Sequence, residues 1–279
     1  MEKRFGFVAI LDALGVSNYT VNEASKFILK KNLLLNELEE ENESLTSYIK
    51  NHMPDVVPPK DQINFPKTTV CTFGDTIIIC WSTENEHVTT FVAPGIFQWL
   101  QHAIVKGLRH GILLRGSVSL GEYLVDGDNT ILGPAIADAS LWSEQADWFG
   151  VILTPNCRLR MAQYFENSDL INTSNNPENW CVKYPVPLHE GIKDMMVVSW
   201  PQYFLETIEK EYLPGYAMVS HQLSKYSIPK GVESKFENTL QFFKWYEEKI
   251  YPTFVDDKSE LKRIRKIKNK LKKIPKKTV

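Results

Sequence analysis

At 279 residues and 32.1 kDa the chain exceeds one small domain, so a catalytic-sized domain with an appendage is expected. Its 43% hydrophobic, 11% aromatic and 24% charged residues are ordinary globular usage, which excludes general disorder, a collagen-like repeat and a disulfide miniprotein. The net charge of −2 hides a division: 258–277 carries 11 Lys or Arg against Glu260, leaving the rest with 21 basic and 33 acidic groups. An acidic body argues against a nucleic-acid-binding surface there, while the basic tail suits phosphate, an acidic partner or the body itself.

The run Phe5 to Leu11 (FGFVAIL) is apolar on both alternating faces, predicting a strand covered on both sides with Asp12 at its C-terminal end. Asp12 also interrupts this run too early for a signal-peptide core. No apolar stretch approaches the roughly 20 residues of a membrane span, so a cytoplasmic protein without a membrane segment is expected. Asn18 and Thr20 suit helix caps, and Ala24, Phe27, Ile28, Leu34, Leu35 and Leu38 share one helical stripe, predicting one helix or two. Four prolines within 52–67 mark an irregular excursion. TTVCTF and TIIICW then flank Gly74-Asp75, where glycine at the first position permits a tight primed turn and Asp75 projects from a hairpin tip.

Val92, Ile96, Leu100, Ala103, Ile104 and Leu108 recur at helical spacing between Val88 and His110, and Gly111 is a C-terminal stop. ILLRGSVSL places Arg115, Ser117 and Ser119 on one face of a strand, the pattern of a strand half exposed to a polar site. A hairpin is expected around Asp126 to Asn129, a helix from Gly133-Pro134, and a short strand at Val151 to Leu153. The sum is an α+β plan of the split βαβ, ferredoxin-like kind, with aromatic-rich helices after about Trp200. The expected domains are 1–200 and a helical extension, 201–279, ending in the basic tail. In that tail Leu261, Ile264, Ile267, Leu271 and Ile274 are spaced for a short docking helix.

Four scattered cysteines (Cys71, Cys80, Cys157, Cys181) form no C-x-x-C pair and are expected as reduced, mostly buried thiols. Trp81, Trp99, Trp142 and Trp148 suit the core or subunit contacts; His102 and His110 suit surface or capping positions; Arg158 and Arg160 suit a solvated helix face. Asp12 and Asp75 carry the chemical signal. Strands of one sheet could bring them together, and two adjacent anions call for a hard divalent cation such as Mg²⁺ or Mn²⁺, which also binds substrate phosphates. Taken singly, each also suits a strand end or a turn.

FVAILDALGVSNYT resembles the first metal motif of class III nucleotidyl cyclases, and TFGDTIIICW resembles their Gly-Asp hairpin. LLRGSVSLGEYL and TILGPAIADASLWSEQA are similar, in the same order, to the family's later strand and helix. The resemblance spans about Phe5 to Pro155. It is nearest to the bacterial pyrimidine cyclases of Pycsar antiphage defence in the RGSVSLGE and GPAIADA phrasing.

It implies a class III cyclase catalytic domain in which Asp12, Asp75 and the backbone carbonyl of Ala13 ligate two Mn²⁺ or Mg²⁺ ions per site. The ribose 3′-hydroxyl of UTP or CTP would attack the α-phosphorus, releasing pyrophosphate and 3′,5′-cyclic UMP or CMP. It further implies a homodimer with shared sites and a separately encoded effector that senses the cyclic nucleotide.

The purine enzymes' readers are absent. Thr69 or Cys71 stands where their selecting Lys is common, and Thr130 where its partner would be, so Thr69 and Thr130 are the expected base pocket. Ala137 and Leu141 replace the usual Asn and Arg. Arg115 is the candidate replacement, able to grip phosphate oxygens or equally to form a structural ion pair. Three alternatives stay open: a pyrimidine cyclase, a purine cyclase, and a nucleotide-binding sensor or scaffold without turnover.

Overall fold

A computed structural model of the chain describes residues 1–16, 19–52, 67–83, 86–127, 130–166, 177–207, 215–226 and 231–253. Asn18, most of the proline-rich excursion, Asp128 with Asn129, and the basic tail lie outside the described residues.

The first strand, β1 (Glu2–Ala13), is covered on both faces, as its doubly apolar run requires. Helix α1 (Val21–His52) opens with a capping box. The Thr20 N–H donates to Glu23 Oε2 at 2.8 Å and the Glu23 N–H faces Thr20 Oγ1 at 3.4 Å. This is one helix of 32 residues. Leu34 and Leu38 are buried on it, whereas Ile28 is 51% exposed and Lys31 takes the inward position instead.

Strands β2 (Lys67–Phe73) and β3 (Thr76–Ser82) form the expected hairpin, with Gly74 at φ 60°. Helix α2 (Glu86–His110) ends at Gly111, whose φ is 82°. Next come β4 (Leu114–Asp126), β5 (Thr130–Leu132), α3 (Pro134–Ser143) and β6 (Gly150–Leu153). Short helices α4 (Pro155–Arg160) and α5 (Ala162–Phe165) precede β7 (Cys181–Leu188) and β8 (Gly191–Val198).

All strands join one sheet in the order β2-β3-β1-β4-β6-β8-β7, with β5 paired to β4. Within β2-β3-β1-β4 every pairing is antiparallel, so β3 lies between β1 and β2, and β1 lies between β3 and β4. That is the split βαβ arrangement expected from the sequence. The β4–β6 pairing is parallel and extends the sheet.

Helices α1 and α2 cover one sheet face, where Phe7 meets Phe97 edge-on at 5.6 Å and Trp81 meets Trp99 at 5.1 Å. Fully burying a side chain such as Phe7 is worth about 1.5–3 kcal/mol. Helix α3 covers the other face, closing Val8, Ile10, Cys80, Tyr123, Ala135 and Ala139 into a cluster. Trp81, Trp99 and Trp148 are buried, and the four cysteines form no disulfide, with Cys71 half-buried.

Two expectations need correction. β4 is buried on both faces near its start, because α3 lies over the polar side: Ser117 and Ser119 are fully buried and Arg115 is 6% exposed. His102, expected at the surface, is buried, whereas His110 is half-buried in the last turn of α2, at the expected helix end. His102 Nδ1 lies 3.0 Å from Glu41 and His110 Nε2 lies 2.8 Å from Glu37, which ties α2 to α1. The β7–β8 hairpin adds two strands that the sequence plan does not contain, and β7 carries Pro185 and Pro187. Prolines are tolerated there because β7 is the sheet's edge.

The chain divides into two compact units, Met1–Trp200 and Pro201–Val279. In the second, α7 (Gly215–Leu223) and α8 (Glu233–Lys249) are joined by Glu247, whose buried carboxylate accepts from the Gly215 N–H at 2.7 Å and the Tyr216 N–H at 3.2 Å. The carboxylate thereby satisfies the first donors of α7. Helix α6 (Trp200–Thr207) begins at the division, and its Phe204 packs edge-on against Phe243 at 5.4 Å.

Candidate active site

Asp12 is the penultimate residue of β1, paired in register with Thr76 of β3 on one side and Arg115 of β4 on the other. Directly opposed residues share a sheet face, so all three side chains emerge together at one end of the sheet. Asp75 is the second residue of the β2–β3 turn. Its carbonyl accepts from the Ala13 N–H at 3.3 Å, which ties the hairpin tip to the end of β1.

The Asp12 side chain is 18% exposed. Its Oδ2 accepts from Arg115 Nη2 at 3.4 Å, and Thr76 Oγ1 lies 3.5 Å from Oδ1. Burial pushes the Asp12 carboxyl above its usual range, and the negative charge of Asp75 pushes it further. Arg115 pulls the other way by charge and hydrogen bond, while Glu144 adds a smaller upward push. Burial and the Asp75 charge together thus outweigh a guanidinium at 3.4 Å.

Arg115 is fixed by a second bond, from Nη1 to the Glu144 carbonyl at 3.2 Å, while its buried Nε has no hydrogen-bond partner among the described residues. Lys31 completes the setting. This α1 side chain is 8% exposed, and its Nζ donates to the Gly74 carbonyl at 2.7 Å. The sequence signal for Lys31 is its spacing, four residues after Phe27 and three before Leu34, on the inward stripe. Glu144 acts through its carbonyl and its charge, neither of which leaves a pattern in sequence.

The donor set fits a divalent cation. Two carboxylates and the Ala13 carbonyl are hard oxygen ligands, and Mg²⁺ characteristically takes one or two carboxylates, leaving positions for water and substrate phosphates. A cation between Asp12 and Asp75 would relieve the repulsion that raises the Asp12 carboxyl. Among the described residues no three His, Cys, Asp or Glu side chains are grouped so as to hold a metal ion by themselves.

The expected base-pocket residues fall apart in space. Thr69 is half-buried on β2 and accepts from Arg4 Nη1 at 2.8 Å. By register it aligns with Cys80 and Val8, four residues from Asp12 along β1, or roughly 13 Å of strand. Thr130 is exposed and pairs with Asp126, eleven residues from Arg115 along β4, or roughly 36 Å of extended chain. The fold does not bring Thr130 to the carboxylates of its own chain. Arg158 and Arg160 lie exposed on α4, with Arg160 over the Phe5 ring at 5.7 Å. Asp138, which the sequence reading passed over, accepts at Oδ2 from both Ser119 and Thr154, each at 2.6 Å, and so clamps α3 to the sheet.

No family model matches the sequence, and no curated protein matches it. Among solved structures the chain is similar to the adenylyl cyclase CyaB from P. aeruginosa, at 12% identity and a TM-score of 0.39, covering 71% of this chain and 95% of that one. A bacterial light-regulated adenylyl cyclase matches at 15% identity and a TM-score of 0.33, covering 81% and 99%. The catalytic core of a rhodopsin-guanylyl cyclase matches at 9% identity and a TM-score of 0.35, covering 71% and 97%.

Proposed function

We propose that the chain is a metal-dependent pyrimidine nucleotide cyclase that converts UTP or CTP into 3′,5′-cyclic UMP or CMP and pyrophosphate, as a signal in antiphage defence. The observation that carries this reading is the convergence of Asp12, Asp75 and Arg115 at one sheet end, in an environment that raises the Asp12 carboxyl. Bound Mn²⁺ or Mg²⁺, two ions per site, would supply acidification of the ribose 3′-hydroxyl and neutralisation of the triphosphate.

The chain's own residues set the geometry for that chemistry. Asp12, Asp75 and the Ala13 carbonyl would hold the ions. Arg115 is fixed by the Glu144 carbonyl and offers its fork of donors to phosphate oxygens, countering charge that builds on the α-phosphate. Thr69 accepts from Arg4 and so keeps its own hydroxyl proton to give to a pyrimidine acceptor.

Phe73 and Leu141 are 84% and 67% exposed, and apolar side chains that open suit the contact between two copies in a homodimer. Within a dimer, Thr130 would serve the neighbour's base pocket. A separately encoded effector would read the product in the cytoplasm.

The test is mass-spectrometric identification of products from purified protein with Mn²⁺ and the four triphosphates, with Asp12→Ala and Asp75→Ala controls. Cyclic UMP or CMP from the wild type, with loss of about 10³-fold or more in either control, is expected. Cyclic AMP or GMP would make it a purine cyclase. No cyclic product from any triphosphate would refute the enzyme reading. A second reading, a sensor that binds nucleotide without turnover, is favoured by the apolar Ala137 and Leu141 on α3; binding without consumption would establish it.

A further inference from the structure

We propose that Lys31 is a positioning residue for the cation site, pinning the Gly74-Asp75 turn to α1; the inference rests on the reading of Asp12 and Asp75 as metal ligands. The tip of the hairpin that carries Asp75 is sparsely packed. β2 is an edge strand, Phe73 is 84% exposed, and nothing lies within 4 Å of where a side chain on Gly74 would begin. The turn is anchored by its strand pairing, by the 3.3 Å contact from the Ala13 N–H to the Asp75 carbonyl, and by the shorter 2.7 Å bond from Lys31 Nζ to the Gly74 carbonyl.

The position of Lys31 is costly as packing alone. Phe27, Lys31, Leu34 and Leu38 form the inward stripe of α1, where three of the four residues are apolar. A lysine serving only solubility or stability keeps its ammonium in water or on a carboxylate. Lys31 instead is 8% exposed, with the Phe27 ring centroid 6.0 Å away, and among the described residues its ammonium pairs with no carboxylate. What it gains is the turn carbonyl, one residue before Asp75. Lys31 thus makes the long helix that leaves β1 dictate where the second carboxylate of the site stands.

Charge and position predict opposite signs for removing Lys31. A positive charge beside a cation site repels the cation, so deleting it by electrostatics alone tightens binding. Losing a group that orients a ligand weakens binding, typically 10–100-fold.

The experiment is Mn²⁺ binding to the full-length protein without nucleotide, followed by the electron paramagnetic resonance of free Mn²⁺, for wild type, Lys31→Met, Lys31→Arg and Asp75→Asn. Thermal melts of each variant accompany it. About tenfold weaker Mn²⁺ binding is expected for Lys31→Met, substantial recovery for Lys31→Arg, and loss of binding for Asp75→Asn. Equal or tighter binding by a folded Lys31→Met overturns the inference alone, leaving the metal site intact if Asp75→Asn still loses it. Wild-type binding that Asp75→Asn does not affect overturns both. Should Lys31→Met not fold, Lys31→Gln, which removes the charge and keeps a donor, is expected to weaken binding to a lesser degree, and unchanged or tighter binding refutes the role.

Discussion

Replacing Arg115 by Met isolates the electrostatics on which the site depends. Methionine has similar length without charge, so packing in the 6% exposed pocket is largely kept while Asp12 loses its cation. At 3.4 Å, the pair is worth about 5 kcal/mol of gross attraction at an effective dielectric constant near 20. Desolvation of both groups returns part of that, leaving a net cost of about 3 kcal/mol for stranding Asp12.

The pH dependence gives the sharper test. Arg115 opposes the burial and the Asp75 charge that raise the Asp12 carboxyl, so without it that carboxyl rises further. A carboxyl whose folded value lies above its unfolded one contributes stability at low pH, and this contribution is lost as pH climbs through the folded value. The Arg115→Met deficit should therefore be about 3 kcal/mol at pH 8 and smaller at pH 5, since the stranded carboxyl binds a proton more readily in the folded state. Urea unfolding in EDTA at both pH values measures it, and adding Asp12→Asn to the variant should recover about 2 kcal/mol. A deficit equal at both pH values, with no recovery in the double variant, would refute the coupling.

Two further outcomes follow from burial and hydrogen bonding. Ser119→Ala removes one of two 2.6 Å hydroxyl bonds to Asp138 and should cost about 1.5–2 kcal/mol by urea unfolding, since the acceptor is a carboxylate; an unchanged midpoint would contradict the clamp. Native protein treated with a chromogenic disulfide reagent should titrate one thiol rapidly, at half-buried Cys71, and four after unfolding. Burial encloses the other three and pushes the Cys80 thiol up to about 12, so rapid reaction of two or more thiols would contradict the core packing.

The site was legible where chemistry depends on local pattern. A doubly apolar run ending in Asp12 and a Gly-Asp dipeptide between two β-rich runs place each carboxylate at a strand end. The antiparallel order β2-β3-β1-β4 then follows from a split βαβ plan. What stayed hidden depends on what another element lays over a residue. The alternation of Arg115, Ser117 and Ser119 reads as a half-exposed strand because sequence carries no record of α3 crossing that face. The β7–β8 hairpin, absent from the sequence plan, carries Pro185 and Pro187, whose cost vanishes only at a sheet edge. Thr130 pairs with the far end of β4, and the length of that strand carries it away from Asp12.

Asp138 and Asp12 face the same helix-covered side of the sheet, and their surroundings separate a structural carboxylate from a site carboxylate. Asp138 Oδ2 receives two hydroxyl donors at 2.6 Å and joins α3 to β4 and to Thr154 at the end of β6, so its polar demand is met by the fold. Asp12 has only long bonds, from Arg115 at 3.4 Å and from Thr76 at 3.5 Å, with a second anion acting on it and a guanidinium whose Nε is buried without a partner among the described residues. A fold that satisfies one buried carboxylate and leaves another strained a few residues away has the means to satisfy both. The proposed function gives that unmet demand at Asp12 a role, since a cation and a phosphate at this end of the sheet would meet it.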